Sequence, residues 1–453
     1  MDLVIRGGTV VLPGEGPVQA DIAVKDGRIA ALLAPGSLVD AADTVDARGL
    51  HIFPGVVDPH VHIGLANGLA DWETETRSAA IGGVTSIFTY LMGGESYLPI
   101  IAENLEAARQ TAIVDYGMHI VPCAEVHLAE FERYLASGIT SFKYFTSFRG
   151  EEGAYLGITG SDDGYLFRYL REVAAAPGAL ACVHPENIEI VWQLRAELQA
   201  AGRDDLMAWN DSRPDYVEAE CVSRTMLYAA RLGAPLYLVH FSSEAALVEL
   251  RAARQRFPGG TFWAETCPQY LTHTSEDPIG SLGKVNPPLR SSADVEALWA
   301  ALFDGTINTI GSDHVPRKRG RKQGSIWTAS AGFPGTATIL PILLSEGYHR
   351  RGLPLERIAS LTAANPARAM GVSHRKGTIR VGADADFALV DLDAQRTLDP
   401  AALGSFSDYS LYEGWQVRGW PVTTIRRGEV IAAGGDVVAV PGSGEYLARQ
   451  TRQ

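Results

Sequence analysis

Between Gly55 and Met370 the chain alternates strand-like and helix-like segments, and no other feature restricts its fold as much. Short runs rich in β-branched and aromatic residues recur: "GVVDPHVH", "VTSIFTYL", "YGMHIVP", "ITSFKYF", "ALACVHPE", "PLYLVHF", "TFWAETCPQY" and "INTIGSDH". Helix-like segments stand between most of them, among them "YLPIIAENLEAARQ", "YVEAECVSRTMLYAARL" and "SADVEALWAALFDG". Such alternation calls for parallel strands joined by crossover helices. Eight strands over about 315 residues is the count for a closed (β/α)8 barrel of the TIM type, an α/β fold. A doubly wound open sheet is the alternative, but no glycine-rich dinucleotide turn follows an early strand.

The two ends of the chain read differently. "LVIRGGTVVLP", "ADIAVKDGRIAALL" and "TVDARGLHIFPG" at the start are short strands broken by turns, and so are "GTIRVGADADFALVDLD" and "VTTIRRGEVIAAGG" towards the end. Asp26–Gly27 between two such runs is a hairpin signal. The expected organisation is a small β-sandwich built from residues 1–54 and 371–453, flanking a catalytic barrel of residues 55–370.

Charge and cysteine usage narrow the class. A formal charge of −14 disfavours a general nucleic-acid-binding surface. The four cysteines lie far apart with no CxxC, which fits a reduced, cytoplasmic protein without a disulfide framework. The start has no basic n-region, and no run approaches the ~18 apolar residues of a membrane span, so neither a signal peptide nor a membrane segment is expected.

Barrel enzymes place their chemistry at the C-terminal ends of the strands. Here the first strand ends in His60 and His62, whose i, i+2 spacing puts both imidazoles on one face. The fourth carries Lys143, the fifth ends in His184, the sixth in His240 and the eighth in Asp313. A lone strand histidine is ordinarily a satisfied core residue, and a lone strand lysine ordinarily snorkels its head to water. Four histidines and an aspartate at the strand ends of one barrel instead point to a metal site. A lysine desolvated in such a site has a lowered pKa and is partly neutral amine. That amine can add carbon dioxide to become a carbamate (N6-carboxylysine), a bidentate carboxylate-like ligand that two metals can share.

The blocks "PGVVDPHVH", "SFKYF", "CVHPEN", "LYLVHFSS", "AETCPQYLT", "NPPLR", "GSDH" and "NPARAMGV…KGTIRVGADADFALVD" resemble the cyclic amidohydrolases: hydantoinases, dihydropyrimidinases, dihydroorotases and allantoinases. The resemblance runs nearly end to end and implies a binuclear site, usually of zinc. It implies that His60, His62, Lys143 and Asp313 hold the more buried metal. It implies that Lys143, His184 and His240 hold the more exposed one, with a hydroxide bridging the pair. Asp313, beside that hydroxide, is the expected general base and proton carrier to the leaving ring nitrogen. Relatives are commonly dimers or tetramers, so a homo-oligomer is expected.

The substrate ring is less legible. Dihydroorotases usually carry an arginine two residues after HxH, where this chain has Gly64; Asn286 in "KVNPPLR" does look dihydroorotase-like. Hydantoinases and dihydropyrimidinases typically place an oxyanion-stabilising tyrosine five residues after the lysine, where this chain has Phe148. Tyr155 is the nearest phenol that can substitute. Some hydantoinases of L-type preference also lack the tyrosine, and "IWTASAGFPGTATILP" and "FSDYSLYEGWQVRGWPV" resemble their later segments. The balance favours a hydantoinase-like enzyme that opens a cyclic amide or ureide. The same machinery on an imide, lactam or linear amide, or an allantoinase- or dihydroorotase-like activity, is the second reading, and a non-catalytic scaffold the third.

Three further features are open at this level. "GEEGAYLGITGSDDG" reads either as a substrate-selecting lid or as a solvated loop before a helix capped near Ser161 or Asp162. The run "PRKRGRK" (316–322) reads as a solvated loop, with attraction of an anionic substrate as the functional alternative. His314 either contacts substrate or supports Asp313.

Overall fold

The computed structural model describes residues 1–155 and 162–450. The parallel barrel strands are Val56–Val61, Val84–Leu91, Asp115–Ile120, Ser141–Phe145, Leu180–His184, Leu236–Leu238, Phe262–Thr266 and Thr309–Ile310, adjacent in chain order. Closure comes from a parallel bridge between Val61 and His314. There the His62 N–H donates to the His314 carbonyl at 2.8 Å, and the His314 N–H donates to the His60 carbonyl at 3.3 Å. The sixth and eighth strands are shorter than their apolar runs, because the backbone leaves the ladder at His240 and Asp313, both at positive φ.

Period-two alternation sorts the fourth strand. Phe142 and Tyr144 face the surrounding helices, where Phe142 stacks on Phe131, and Tyr144 on Tyr165 and Tyr169. Lys143 therefore points into the barrel, in register with Cys182 on the fifth strand, which pairs with Tyr237 on the sixth.

Most crossover helices follow the sequence pattern and carry local start signals. Tyr97–Thr111 is capped by Ser96, and Asp163–Ala175 by Asp162. Ser292–Asp304 opens on a capping box between Ser291 and Asp294 and stops at Gly305, at φ 87°. The helix Asp71–Ile81 carries no such signal. Its buried face includes Asp71 and Glu75 alongside Trp72 and Ala79, so its hydrophobic period is broken by carboxylates. Asp71 accepts the backbone N–H groups of Gly64, Ala66 and Asn67, and Glu75 meets His314.

The terminal strands form a β-sandwich. A four-stranded sheet runs Arg28–Leu33, Asp21–Lys25, Leu3–Arg6, Asp43–Asp46. A seven-stranded sheet runs Asp436–Val437, Glu429–Ala433, Gln416–Arg426, Phe387–Thr397, His51–Pro54, Thr9–Leu12, Gly16–Gln19. The N- and C-terminal parts meet where Ile52 pairs with Leu389, and Ile5, Ile22, Val10, Ile52, Phe387 and Ile425 share one core. Asp26 and Gly27 both adopt positive φ (51° and 72°), as a tight two-residue hairpin turn requires. The α/β fold is thus a (β/α)8 barrel with a β-sandwich drawn from both termini. Among the described residues no helix is long and apolar enough to cross a membrane.

The last described residues return to the barrel: the Leu447 N–H donates to the Tyr116 carbonyl at 2.7 Å, and buried Arg449 reaches Ser141 Oγ at 2.5 Å. A buried ion cluster ties barrel to sandwich nearby. The Lys376 ammonium donates to Asp115 Oδ2 (2.5 Å) and Asp386 Oδ2 (2.7 Å) and lies 3.0 Å from Asp384 Oδ2, filling the space a metal cation would need among these carboxylates. Burial opposes its charge, but Asp386, Asp115 and Asp384 outweigh burial and raise its pKa. Lys376→Met leaves buried carboxylates without their cation, a change worth about 3–5 kcal/mol. Urea denaturation of the variant is expected to show a clearly lower midpoint; an unchanged midpoint would show that the cluster contributes no net stability.

Candidate metal centre

Short local devices aim the donors. His60 and His62 follow the period of the first strand, whereas His240 (φ 41°) and Asp313 (φ 50°) turn into the barrel mouth through a left-handed backbone. Such a conformation costs about 1–3 kcal/mol in a non-glycine residue and persists only where the surroundings enforce it. At the eighth strand the enforcing contacts come from Asp58, which accepts from the Ser312 hydroxyl (2.5 Å), the Ser312 N–H (3.1 Å) and the His60 N–H (3.2 Å).

The result is one buried cluster. Asp313 Oδ1 lies 3.1 Å from His60 Nε2 and 3.2 Å from His62 Nε2, and Lys143 Nζ lies 2.8 Å from His60 Nε2. His184 Nδ1 faces His240 Nε2 at 2.8 Å, and the His60 and His240 rings are 5.5 Å apart. All six predicted donors therefore converge. Phe148 and Asn286 line the adjoining cavity of about 500 Å³; Phe148 stacks on His184, and buried Asn286 Oδ1 has no hydrogen-bond partner.

Two carboxylates that sequence reasoning passed over set the tautomers. His60 Nδ1–H donates to Glu265 Oε1 (2.7 Å), and His184 Nε2–H donates to Glu186 Oε2 (2.6 Å). A carboxylate only accepts, so His60 Nε2 and His184 Nδ1 are the nitrogens presented to the cluster. The available signal was position: Glu186 follows His184 by two residues, and Glu265 stands one residue before the end of the seventh strand, near where other strands carry donors. Gly311 permits this packing, since a Cβ there would sit 2.4 Å from Glu265 Oε2 and 2.9 Å from His60 Cβ.

The electrostatics fit a cation. Burial pushes His62 down to about 3 and, with His184 beside it, His240 well below its ordinary value, leaving neutral imidazoles suited to ligation. Burial lowers Lys143 to about 8, within reach of the neutral amine. Burial pushes Asp313 up, but His60 and His62 outweigh it and hold the carboxyl well below the usual range. At His60, Glu265 and Asp313 outweigh burial and Lys143 and raise the pKa, which marks a place where positive charge is wanted. His184 Nδ1, its lone pair freed by the bond from Nε2–H to Glu186, faces His240 Nε2 at 2.8 Å. The N/O donor set and its carboxylate-fixed histidines fit divalent metal.

Other expected contacts fall elsewhere. His314 is not a substrate contact: its Nε2 meets Glu75 (2.8 Å) and its Nδ1 accepts from Gly335 N–H (3.0 Å), so the ring is turned away from the cavity. Gly64, at φ 94°, gives its N–H to Asp71 and does not line the cavity. The Tyr155 side chain and residues 156–161 of the expected lid lie outside the described residues. The cationic run is no solvated loop: Lys322 is buried against the carbonyls of Lys284, Ser330 and Gly332, and Arg317 donates to the Leu65 carbonyl.

Fold and donors together define a barrel built to hold metal at its mouth. The chain belongs to the Amidohydrolase family, which it matches over residues 51–431. It is 34% identical to the L-hydantoinase of Paenarthrobacter aurescens, covering 99% of this chain and 98% of that one. It is 37% identical to the allantoinase of Rubrobacter xylanophilus, covering 99% and 98%. The solved D-hydantoinase of Bacillus sp. AR9 is similar with a TM-score of 0.91 at 33% identity, covering 100% of both chains.

If Glu265 fixes His60 for ligation, Glu265→Ala is expected to weaken metal binding about 10–100-fold. Calorimetric titration of zinc into stripped protein measures this, and wild-type affinity in the variant would remove Glu265 from the account.

Proposed function

We infer that this enzyme hydrolyses a cyclic amide or ureide ring, in the manner of a hydantoinase, with two divalent metal ions held by the cluster. The observation that carries the reading is the pair of outer carboxylates, Glu265 and Glu186, which turn His60 Nε2 and His184 Nδ1 towards Lys143, His62, His240 and Asp313. His60, His62, Asp313 and Lys143 would hold one ion, and Lys143, His184 and His240 the other, with Lys143 as a carbamate. Imidazole and carboxylate donors suit zinc. When bound, the ions lower the pKa of a water and polarise the carbonyl under attack.

The chain's own groups do the remainder. Asp313 keeps Oδ1 against His60 and His62, while Oδ2 makes no hydrogen bond among the described residues. As a carboxylate it would take the proton of the attacking water and return it to the ring nitrogen as the C–N bond breaks. Phe145, Phe148 and Val285 give the cavity an apolar stretch of wall beside the donor cluster. Asn286, with its unpartnered Oδ1, is placed to accept from a ring N–H. Phe148 offers no hydroxyl, which keeps the imide, lactam and linear-amide reading as the second one. Four buried, unbridged cysteines suit a reducing cytoplasm, and a dimer or tetramer is the assembly we expect.

The test is ring opening by zinc-loaded protein on hydantoin, dihydrouracil, dihydroorotate and allantoin side by side. Turnover of hydantoin well above dihydroorotate is expected; no turnover of any ring would sink the cyclic reading. Asp313→Asn is expected to lower kcat at least 100-fold with KM changed far less. A raised KM at full kcat would instead make Asp313 a binding group only.

A further inference from the structure

The cavity has a second built feature, away from the donor cluster, that ring opening itself does not use. Trp209 is pinned by its indole N–H to the Val285 carbonyl at 2.9 Å, and two cations lie on its ring. Lys284 Nζ is 4.1 Å from the indole centroid and Arg213 Cζ is 4.5 Å from it. Both cations line the cavity, and both are buried, with 5% and 1% of their surface exposed.

Their charge is poorly compensated. Lys284 donates to the Trp327 carbonyl at 3.2 Å and makes no ion pair among the described residues. Arg213 reaches one carboxylate oxygen, Glu186 Oε1 at 3.4 Å, while the other oxygen of Glu186 is committed to His184. The buried Arg213 Nε has no hydrogen-bond partner. Glu152, the remaining acid on this wall, is engaged by Arg195 and by the Trp192 indole N–H. Burial, Arg213 and Arg195 together push the Lys284 ammonium down to about 7, as expected where like charges are crowded out of water. Stacked on an indole, the two cations gain some attraction, but a buried, underpaired charge is costly until an anion meets it.

We propose that Lys284 and Arg213, set on Trp209, form an anion subsite that selects rings carrying a carboxylate on an exocyclic substituent. The inference deepens the ring-opening reading and rests on it. A cavity of about 500 Å³ has room for a five- or six-membered ring at the donor cluster together with a short acidic arm. Lysine and arginine on the lining of one cavity offer the carboxylate point-charge and forked hydrogen bonds.

The experiment compares 5-(2-carboxyethyl)hydantoin with its neutral near-isostere 5-(2-carbamoylethyl)hydantoin, on zinc-loaded protein, by ring-opening kinetics and by calorimetric binding. Wild type is expected to favour the carboxylate at least 10-fold in kcat/KM. Lys284→Met is expected to shrink that ratio 10-fold or more, and Lys284→Arg to keep most of it. An equal effect of Lys284→Met on both compounds, or no wild-type preference, would overturn the subsite while leaving ring opening intact. If neither ring opens, the ring-opening reading fails and binding decides. Carboxylate-selective binding that Lys284→Met removes and Lys284→Arg retains supports the subsite; equal binding of the two compounds overturns it.

Discussion

Closure of the barrel between its first and last strands is the constraint on which the site depends. The bridge from Val61 to His314 brings the two strand ends together, and Asp58 ties them by holding Ser312 and the His60 backbone at once. Only then can Asp313, twisted through positive φ, lie against His60 and His62. Lys143 and His184 arrive on the paired fourth and fifth strands, and His240 just beyond the sixth. A set of candidate ligands scattered over 254 residues, from His60 to Asp313, thus becomes one cluster because the strands stop at the same rim.

Burial of Lys143 makes sense within this frame. An ammonium enclosed by the strands, with His60 Nε2 at 2.8 Å and no carboxylate ion pair among the described residues, is poorly placed as a structural cation. The same enclosure favours its neutral form, and with it the carbamate chemistry. Lys376 is the instructive contrast. It is equally buried, but three aspartates surround it and raise its pKa, so it remains a cation and joins barrel to sandwich.

Much of this was legible in the sequence, for local reasons. Strand segments announce themselves by β-branched runs, His60 and His62 by their i, i+2 spacing, and the sandwich hairpin by Asp26–Gly27. The groups that escaped reading act across the fold. Glu265 matters because it reaches His60 on another strand, and Glu186 because it fixes the ring of His184. The helix Asp71–Ile81 hid behind buried carboxylates whose partners, His314 and the N–H groups of the Gly64 loop, lie elsewhere in the chain. Residues 316–322 looked solvated because their charges were visible, whereas the carbonyls that Lys322 caps were not. Sequence shows what a residue offers; the fold decides what meets it.

The central claim is that Lys143, as a carbamate, bridges two metals. Its most direct measurement is carbon-13 NMR of protein loaded with zinc and labelled bicarbonate, with metal content determined on the same sample. The account predicts one carbamate resonance and two zinc ions per chain, both lost together when the metal is stripped. A fully loaded sample with no carbamate resonance, or one that holds a single ion at saturation, would contradict it.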